Sequence, residues 1–299
     1  MPSNLKTAAL ALLASATSLV ATSPVPSDNR VYAECGKPNV TFGVTHIITA
    51  ASVFHINDVN LLTDPFFSPA NTTWPTAGGN LTVLADPALQ PSQIPVIDAV
   101  LLSHESHPDN LDEIGRQHFI DGRKVITTPD GAKNLSPRPG VVGLQNWQTI
   151  DVKLDGEIWK VTGTPCNHTT ETQTMGFALH GPGFGYTDGL PNAIWYSGDT
   201  IYIEELKQLN DMFHIRAAVF NMGDAHITVD GVAIQITMNG TEVAQMFKDV
   251  GAEILVPIHY SPWSHFREQS ITQLKKDFDE AGVSDKVKWL VPGQKTLVF

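Results

Sequence analysis

From about residue 40 onward, short β-branched apolar runs alternate with turn residues, and in the second half of the chain amphipathic stretches of helical period separate them. Residues 44–54 and 59–62 predict a hairpin that ends in Thr63-Asp64-Pro65. Further strands are predicted at 99–102, 125–127, 158–164, 177–180, 194–197, 217–221 and 254–258, with 287–290 closing the chain. Helices are predicted at 111–120, where Leu111, Ile114 and His118 share a face, at 201–209 and at 271–281. Another is predicted from an Asn239 cap, with Glu242 three residues on, to about Val250. Residues 67–91 are rich in Pro, Asn, Thr and Gly and predict a long surface loop. Strands paired first as hairpins and later alternating with helices indicate a mixed α/β protein whose sheets are covered by helices. No internal repeat and no Pro/Gly/Ser linker divides this region, so it reads as one domain.

Composition narrows the class. The chain has 299 residues, 42% hydrophobic and 17% charged, a globular balance. Lys plus Arg number 19 against 31 Asp plus Glu, for a net charge of -12 without a cationic run. Nothing there would neutralise phosphates, so no nucleic-acid or membrane partner is expected. Two cysteines exclude a disulfide-framework miniprotein and a four-thiolate zinc site. Residues 1–21 place one cation, Lys6, before an Ala/Leu-rich stretch too short to span a bilayer, as in a secretory signal peptide. Residues 22–39 read as an extended leader, and residues 40–299 as the functional domain. Secretion agrees with six Asn-x-Ser/Thr tripeptides, at Asn39, Asn71, Asn80, Asn134, Asn167 and Asn239. In an oxidising compartment Cys35 and Cys166 are expected to pair, the alternative being two buried thiols.

The chemistry collects at strand ends. Residues 99–103 run into His104-Glu-Ser-His107-Pro-Asp109-Asn110, 158–164 into Pro165-Cys-Asn-His168, 194–197 into Gly198-Asp199, and 254–258 into His259. Strands whose carboxyl ends share one edge bring such groups together, which is where α/β folds place their sites. Imidazoles and carboxylates suit zinc, manganese or iron. One histidine after a strand is commonplace; four such events in one chain are not. Neither a Gly-x-Ser-x-Gly elbow nor a Walker loop supports a rival enzyme class.

The order of these segments resembles the metallo-β-lactamase superfamily, over roughly residues 40–299. Leu102-Ser-His-Glu-Ser-His-Pro-Asp-Asn-Leu-Asp112 stands for its His-x-His-x-Asp-His motif, Gly163-Thr-Pro-Cys-Asn-His168 for the second element, Ser197-Gly-Asp-Thr200 for the third and Val256-Pro-Ile-His-Tyr260 for the fourth. The opening Val44-Thr-His-Ile and Leu61-Leu-Thr-Asp-Pro65 are similar to its first hairpin, and the branch it is most similar to is that of soluble, ascorbate-phosphate lactonase-like hydrolases. The resemblance implies an αββα four-layer sandwich. It implies that His104, His107 and His168 hold one metal and that Asp109, Asp199 and His259 hold a second, with Asp199 bridging. It also implies that Asp64 stands behind the ligands, accepting a hydrogen bond from a ligand histidine. One extra residue separates the first two histidines, and Asn110 stands where the third would be, offering a weaker amide ligand. Asp109 is placed to bind metal or orient the attacking water, or else to cap the helix at 111–120.

The activity implied is hydrolysis of a small-molecule ester, lactone, thioester or amide by a metal-bound hydroxide, with one or two zinc ions and manganese or iron as substitutes. The alternatives are an iron-dependent oxidoreductase on the same fold, or a non-catalytic secreted protein with a decayed metal site. His226, Tyr260, Trp263 and His265 are candidate pocket walls, and a glycan on Asn167 would crowd His168. No pattern fixes the oligomeric state.

Overall fold

The computed structural model describes residues 39–76, 79–169, 172–229, 231–267 and 270–299. The signal peptide and all but the last residue of the leader lie outside the described residues.

Two sheets stack face to face. The first contains Phe42–Ile48, Ala51–Ile56, Val59–Thr63, Ala99–Leu101, Lys124–Thr127, Val141–Gly143 and the C-terminal Lys295–Leu297. The second runs Ile254–Ile258, His214–Asn221, Leu190–Tyr196, Met175–His180, Glu157–Pro165, Thr149–Leu154. Alternation along each strand sorts side chains to the two faces. Phe54, Leu61, Leu101, Tyr196, Val219 and Val256 point into the core between the sheets. Their neighbours Val53, Leu62 and Val100 face outward under Phe119 and Ile120. On the far side Trp195, Phe220 and Leu255 face outward beneath Val243, Phe247, Leu274 and Phe278 of the helices Gly240–Asp249 and Ile271–Glu280. Both faces of each sheet are therefore apolar, and the layers read helix, sheet, sheet, helix: the αββα sandwich.

Several elements differ from the sequence expectation. The opening hairpin is a three-stranded meander; Asn57, at φ 52°, makes the tight turn between its last two strands. The stretch expected as a loop carries a ribbon, Thr73–Thr76 paired with Gly79–Thr82. Aromatic contacts hold it down: Trp74 lies 6.0 Å from Phe66 and 5.3 Å from Trp263, ring centre to ring centre, and Phe67 and Val83 are buried. The polar composition concealed those few apolar anchors. Residues 201–209 give only a short turn, Glu204–Gln208, leading into Leu209–Met212. The final strand is Lys295–Leu297, paired with Phe42–Ile48, rather than residues 287–290. The capping box of Asn239 and Glu242 forms as expected.

Candidate metal centre

Every strand that carries a candidate ligand ends at the same edge. Val59–Thr63 and Ala99–Leu101 are parallel neighbours, as are Leu190–Tyr196, His214–Asn221 and Ile254–Ile258. Glu157–Pro165 runs the same way as this trio, being antiparallel to the antiparallel neighbour of Leu190–Tyr196. Asp64, His104, His168, Asp199, Asn221 and His259 thus lie at or just beyond strand ends. The backbone turns sharply there: φ is 35° at Asp64, 60° at Gly198 and 64° at His259. Left-handed conformations are costly for residues with a Cβ and concentrate at functional sites.

The structure groups the expected residues into two triads. Donor atoms of His104, His107 and His168 lie within 4.8 Å of one another, as do those of Asp109, Asp199 and His259. In the first, His104 Nε2 is 2.9 Å and His168 Nε2 3.1 Å from His107 Nδ1. The far ring nitrogens fix the tautomers. His168 Nδ1 lies 2.7 Å from the Ile236 carbonyl, which only accepts, so Nδ1 carries the proton and Nε2 the lone pair. Ser103 Oγ donates to Asp64 Oδ2 at 2.7 Å and so accepts from His104 Nδ1 at 2.9 Å, again leaving a lone pair on Nε2. Burial and neighbouring imidazoles hold His104 well below its usual pKa, and burial holds His168 down at about 4, so both rings are neutral at physiological pH. Two inward lone pairs then face one His107 nitrogen, which has at most one proton to share. A cation satisfies all three.

In the second triad His259 Nε2 is 3.4 Å from Asp199 Oδ2 and 3.6 Å from Asp109 Oδ2. Its Nδ1 donates to the Met222 carbonyl at 2.9 Å, while Nε2 is buried without a hydrogen-bond partner. Burial favours the neutral ring, but Asp199 and Asp109 together raise His259 to about 9. Burial would also raise Asp109, yet contact with His259 carries it far below the carboxylate range. Two buried acids around one orphaned nitrogen are the donor set that a divalent cation neutralises, and the residues present fit one.

Asp64 is fully buried and links the triads. It accepts from Ser103 N at 2.6 Å, Ser103 Oγ at 2.7 Å, Tyr196 Oη at 2.5 Å and Asn110 Nδ2 at 3.1 Å. Burial and the nearby Asp199 nevertheless push it up to about 7. The expected direct bond to a ligand histidine is instead relayed through Ser103.

Asn110 is buried between the supporting carboxylates of the two triads. Its Nδ2 donates to Asp64 Oδ2 and, at 3.3 Å, to Asp199 Oδ2, tying two buried carboxylates together. Its Oδ1, the atom expected to face a metal, is buried without a hydrogen-bond partner. The helix cap considered for Asp109 belongs to Asp112, which accepts from Gly115 N at 2.7 Å; this leaves Asp109 to the centre. Cys166 is a free thiol donating to the Ser197 carbonyl at 3.2 Å; the pairing expected with Cys35 falls on a residue outside the described ones.

Sequence reasoning missed Ser103, Tyr196 and Asn221. Asn221 Nδ2 donates to Asp199 Oδ1 at 2.6 Å and to Tyr196 Oη at 2.9 Å. Its position at the end of an apolar strand was the available signal. Of the candidate wall residues, His265 has its Nδ1 buried without a hydrogen-bond partner; the ring of its neighbour Phe266, which sequence reasoning did not single out, lies 4.7 Å from that of His259, centre to centre. His226 instead turns its Nδ1 to the Asp224 carbonyl. Trp263 is fully buried, its Nε1 donating to Thr49 Oγ1 at 2.9 Å, and so serves the core.

Comparison with known proteins adds to this geometry. A family model described as "Beta-lactamase superfamily domain" matches residues 59–260. A mitochondrial N-acyl-phosphatidylethanolamine-hydrolyzing phospholipase D from Saccharomyces cerevisiae is 24% identical over 219 residues, covering 68% of this chain and 44% of that protein. The chain thus spans less than half the length of that relative. A metal-dependent hydrolase from Methanoculleus marisnigri is 23% identical over 220 residues, covering 72% of this chain and 89% of its own. The crystal structure of an isothiocyanate hydrolase from Delia radicum gut bacteria superposes with a TM-score of 0.66 at 19% identity, covering 85% of this chain and 98% of that one.

Proposed function

The chain belongs to the β-lactamase superfamily, and from that membership we propose that it is a metal-dependent hydrolase of a small molecule whose scissile bond is an ester, lactone, thioester or amide. The observation that carries the reading is the pair of complete triads, five of their six residues buried and His107 half-buried, where strands of both sheets end. Their completeness argues against a decayed site.

His104, His107 and His168 are the residues to hold one ion, and Asp109, Asp199 and His259 a second. Zinc suits this mixture of imidazole and carboxylate. A bound ion supplies Lewis-acid charge and lowers the pKa of a coordinated water toward neutrality. The chain's own groups do the rest. Ile236 O, Met222 O and the Ser103–Asp64 relay hold three imidazoles in the tautomer that turns Nε2 inward. Asp109 stays ionised, so its Oδ atoms are available to accept a hydrogen bond from a water and orient it. Asn110 and Asn221 keep Asp199 from turning away.

Support for a secreted protein comes from the N-terminal pattern and from the exposure of Asn39, Asn71 and Asn80, each within a sequon. Glycosidase treatment of protein recovered from culture medium, with loss of mass at those sites, tests this.

The deciding experiment combines elemental analysis with a panel of lactone, ester and thioester substrates. His168→Ala is expected to lose metal and turnover together while keeping the circular dichroism of the wild type. Full metal content in that variant would show that the ligand assignment is wrong. A wild-type protein that binds no metal would end the hydrolase reading.

A further inference from the structure

The chain leaves the centre at His259 and comes back to it within seven residues. Trp263 holds the excursion down: it is fully buried, and its ring lies 5.3 Å from that of Phe66 and 5.3 Å from that of Trp74. Backbone bonds fix both flanks. Leu84 N donates to the Pro262 carbonyl at 2.6 Å, Ser264 N to that of Thr82 at 3.0 Å, and His226 N to that of His265 at 3.3 Å. The return sets the Phe266 ring 4.7 Å from that of His259, and the His265 ring 4.7 Å from that of Phe266. We propose that His265 is a catalytic residue whose Nε2–H donates to the carbonyl oxygen of the scissile ester, lactone, thioester or amide; this rests on the hydrolase reading above.

Three observations carry it. First, a firmly seated imidazole lacks hydrogen bonds. His265 Nδ1 is buried without a partner, and no described residue bonds to Nε2. Native proteins seldom keep such a group without a reason. Nδ1 is sealed from ligands as it is from water, so Nε2 is the atom left to meet one. A neutral ring keeps its single proton where it can be hydrated, which makes Nε2–H a donor. His226, on the neighbouring strand, differs in that its Nδ1 lies 2.8 Å from the Asp224 carbonyl.

Second, unpaired buried atoms gather here. Asn110 Oδ1, Asn221 Oδ1 and His259 Nε2 share that state with His265 Nδ1. Asn110, Asn221 and His259 all surround Asp199. A ligand held at the second triad is what these groups have in common.

Third, His265 is within electrostatic reach of both triads and belongs to neither. Burial pushes its pKa down; Asp109 opposes this, His259 adds to it, and Asp199 and His107 act more weakly. Its nitrogens lie outside both sets of clustered donor atoms, so it is placed to meet a substrate rather than an ion. A fixed donor aimed at an oxygen that gains charge stabilises the transition state.

The test uses the metal-loaded full chain and the variants His265→Leu, His265→Gln and His265→Asn. The Gln amide nitrogen falls near the place of imidazole Nε2, and the Asn nitrogen near that of Nδ1. Two quantities are read: turnover of the lactone, ester and thioester panel, and calorimetric binding of methylphosphonate, a tetrahedral stand-in for the attacked carbonyl with no bond to hydrolyse. His265→Leu should lower kcat about 100-fold and leave KM within about threefold, the loss usual for one donor to a developing oxyanion. It should weaken methylphosphonate about tenfold, the worth of one hydrogen bond to a charged oxygen. Gln should recover most of both losses and Asn neither. Metal content should match the wild type in all three, and the Tm of His265→Leu should hold or rise, because an unpaired buried nitrogen is removed. If His265→Leu does not fold, the Gln–Asn pair decides alone. The proposal is overturned if His265→Leu binds methylphosphonate and turns over as the wild type does, if Asn restores function and Gln does not, if metal is lost with the ring, or if the wild type binds no methylphosphonate. Methylphosphonate binding that depends on His265, in a protein that hydrolyses none of the panel, would remove the hydrolase reading and leave the contact standing.

Discussion

At the scale of single residues the centre is a set of ligand candidates held by neutral hydrogen-bonding partners. The candidates were legible because imidazoles and carboxylates after apolar runs are scarce, and their chemistry is specific. The partners were not, because Ser, Tyr and Asn occur everywhere and act here only through contacts distant in sequence. Asn221 shows what they contribute. Its amide fixes Asp199 Oδ1 at 2.6 Å and also serves Tyr196, which in turn holds Asp64. Asn221→Leu, close in shape but without donors, strands a buried carboxylate oxygen. Unfolding free energy should fall by about 1–3 kcal/mol in urea titrations. Metal affinity should fall about 10–100-fold by chelator competition, the usual effect of losing a ligand's supporting bond. Unchanged affinity would mean that Asp199 needs no support.

Among elements, the turn that follows each strand does the positioning. Gly198 precedes Asp199 at φ 60°, and a Cβ there would lie 2.3 Å from the Met175 carbonyl oxygen. Ala at this position meets both a left-handed backbone, costing about 1–2 kcal/mol, and a backbone collision. Gly198→Ala should therefore lower Tm and displace Asp199, so that metal stoichiometry falls at the Asp109–Asp199–His259 site before it falls at the histidine triad. A variant with wild-type Tm and stoichiometry would show that the Met175 segment yields freely. The strands themselves were legible from their apolar runs, and the helix Gly240–Asp249 from its cap. The ribbon within residues 67–91 was not, because it depends on Trp263, far along the chain, packing against Phe66 and Trp74.

For the whole molecule, neither sheet alone makes a centre: Asp64, His104 and Asp109 follow strands of the first, and His168, Asp199 and His259 strands of the second. The sequence showed the strand ends but not which sheet each strand joins, because pairings such as Lys295–Leu297 with Phe42–Ile48 are non-local. Stacking the sheets buries Asp64, Asp109 and Asp199 close together and leaves an excess of negative charge wherever no cation is bound. In chelator-treated protein a proton on His259 takes the cation's part. Its folded-state pKa of about 9 lies above the unfolded value of 6.5. That stabilisation is therefore complete below pH 6.5 and is lost as pH rises through 9. Asp64, raised to about 7, has the same sign but completes its loss near pH 7. His46 and His168, lowered to about 4, act oppositely, gaining stability as pH rises from 4 to 6.5. Between pH 7 and 9, then, the chelated protein loses the stabilisation that the His259 proton gives, and its Tm should drop steadily. Metal-loaded protein replaces that proton with the ion and should hold its Tm across the same interval. Metal uptake at pH 7 should accordingly release protons, which calorimetry in buffers of different ionisation enthalpy counts directly. Parallel melting curves for the two forms from pH 7 to 9, with no proton release, would show that His259 does not exchange a proton for metal.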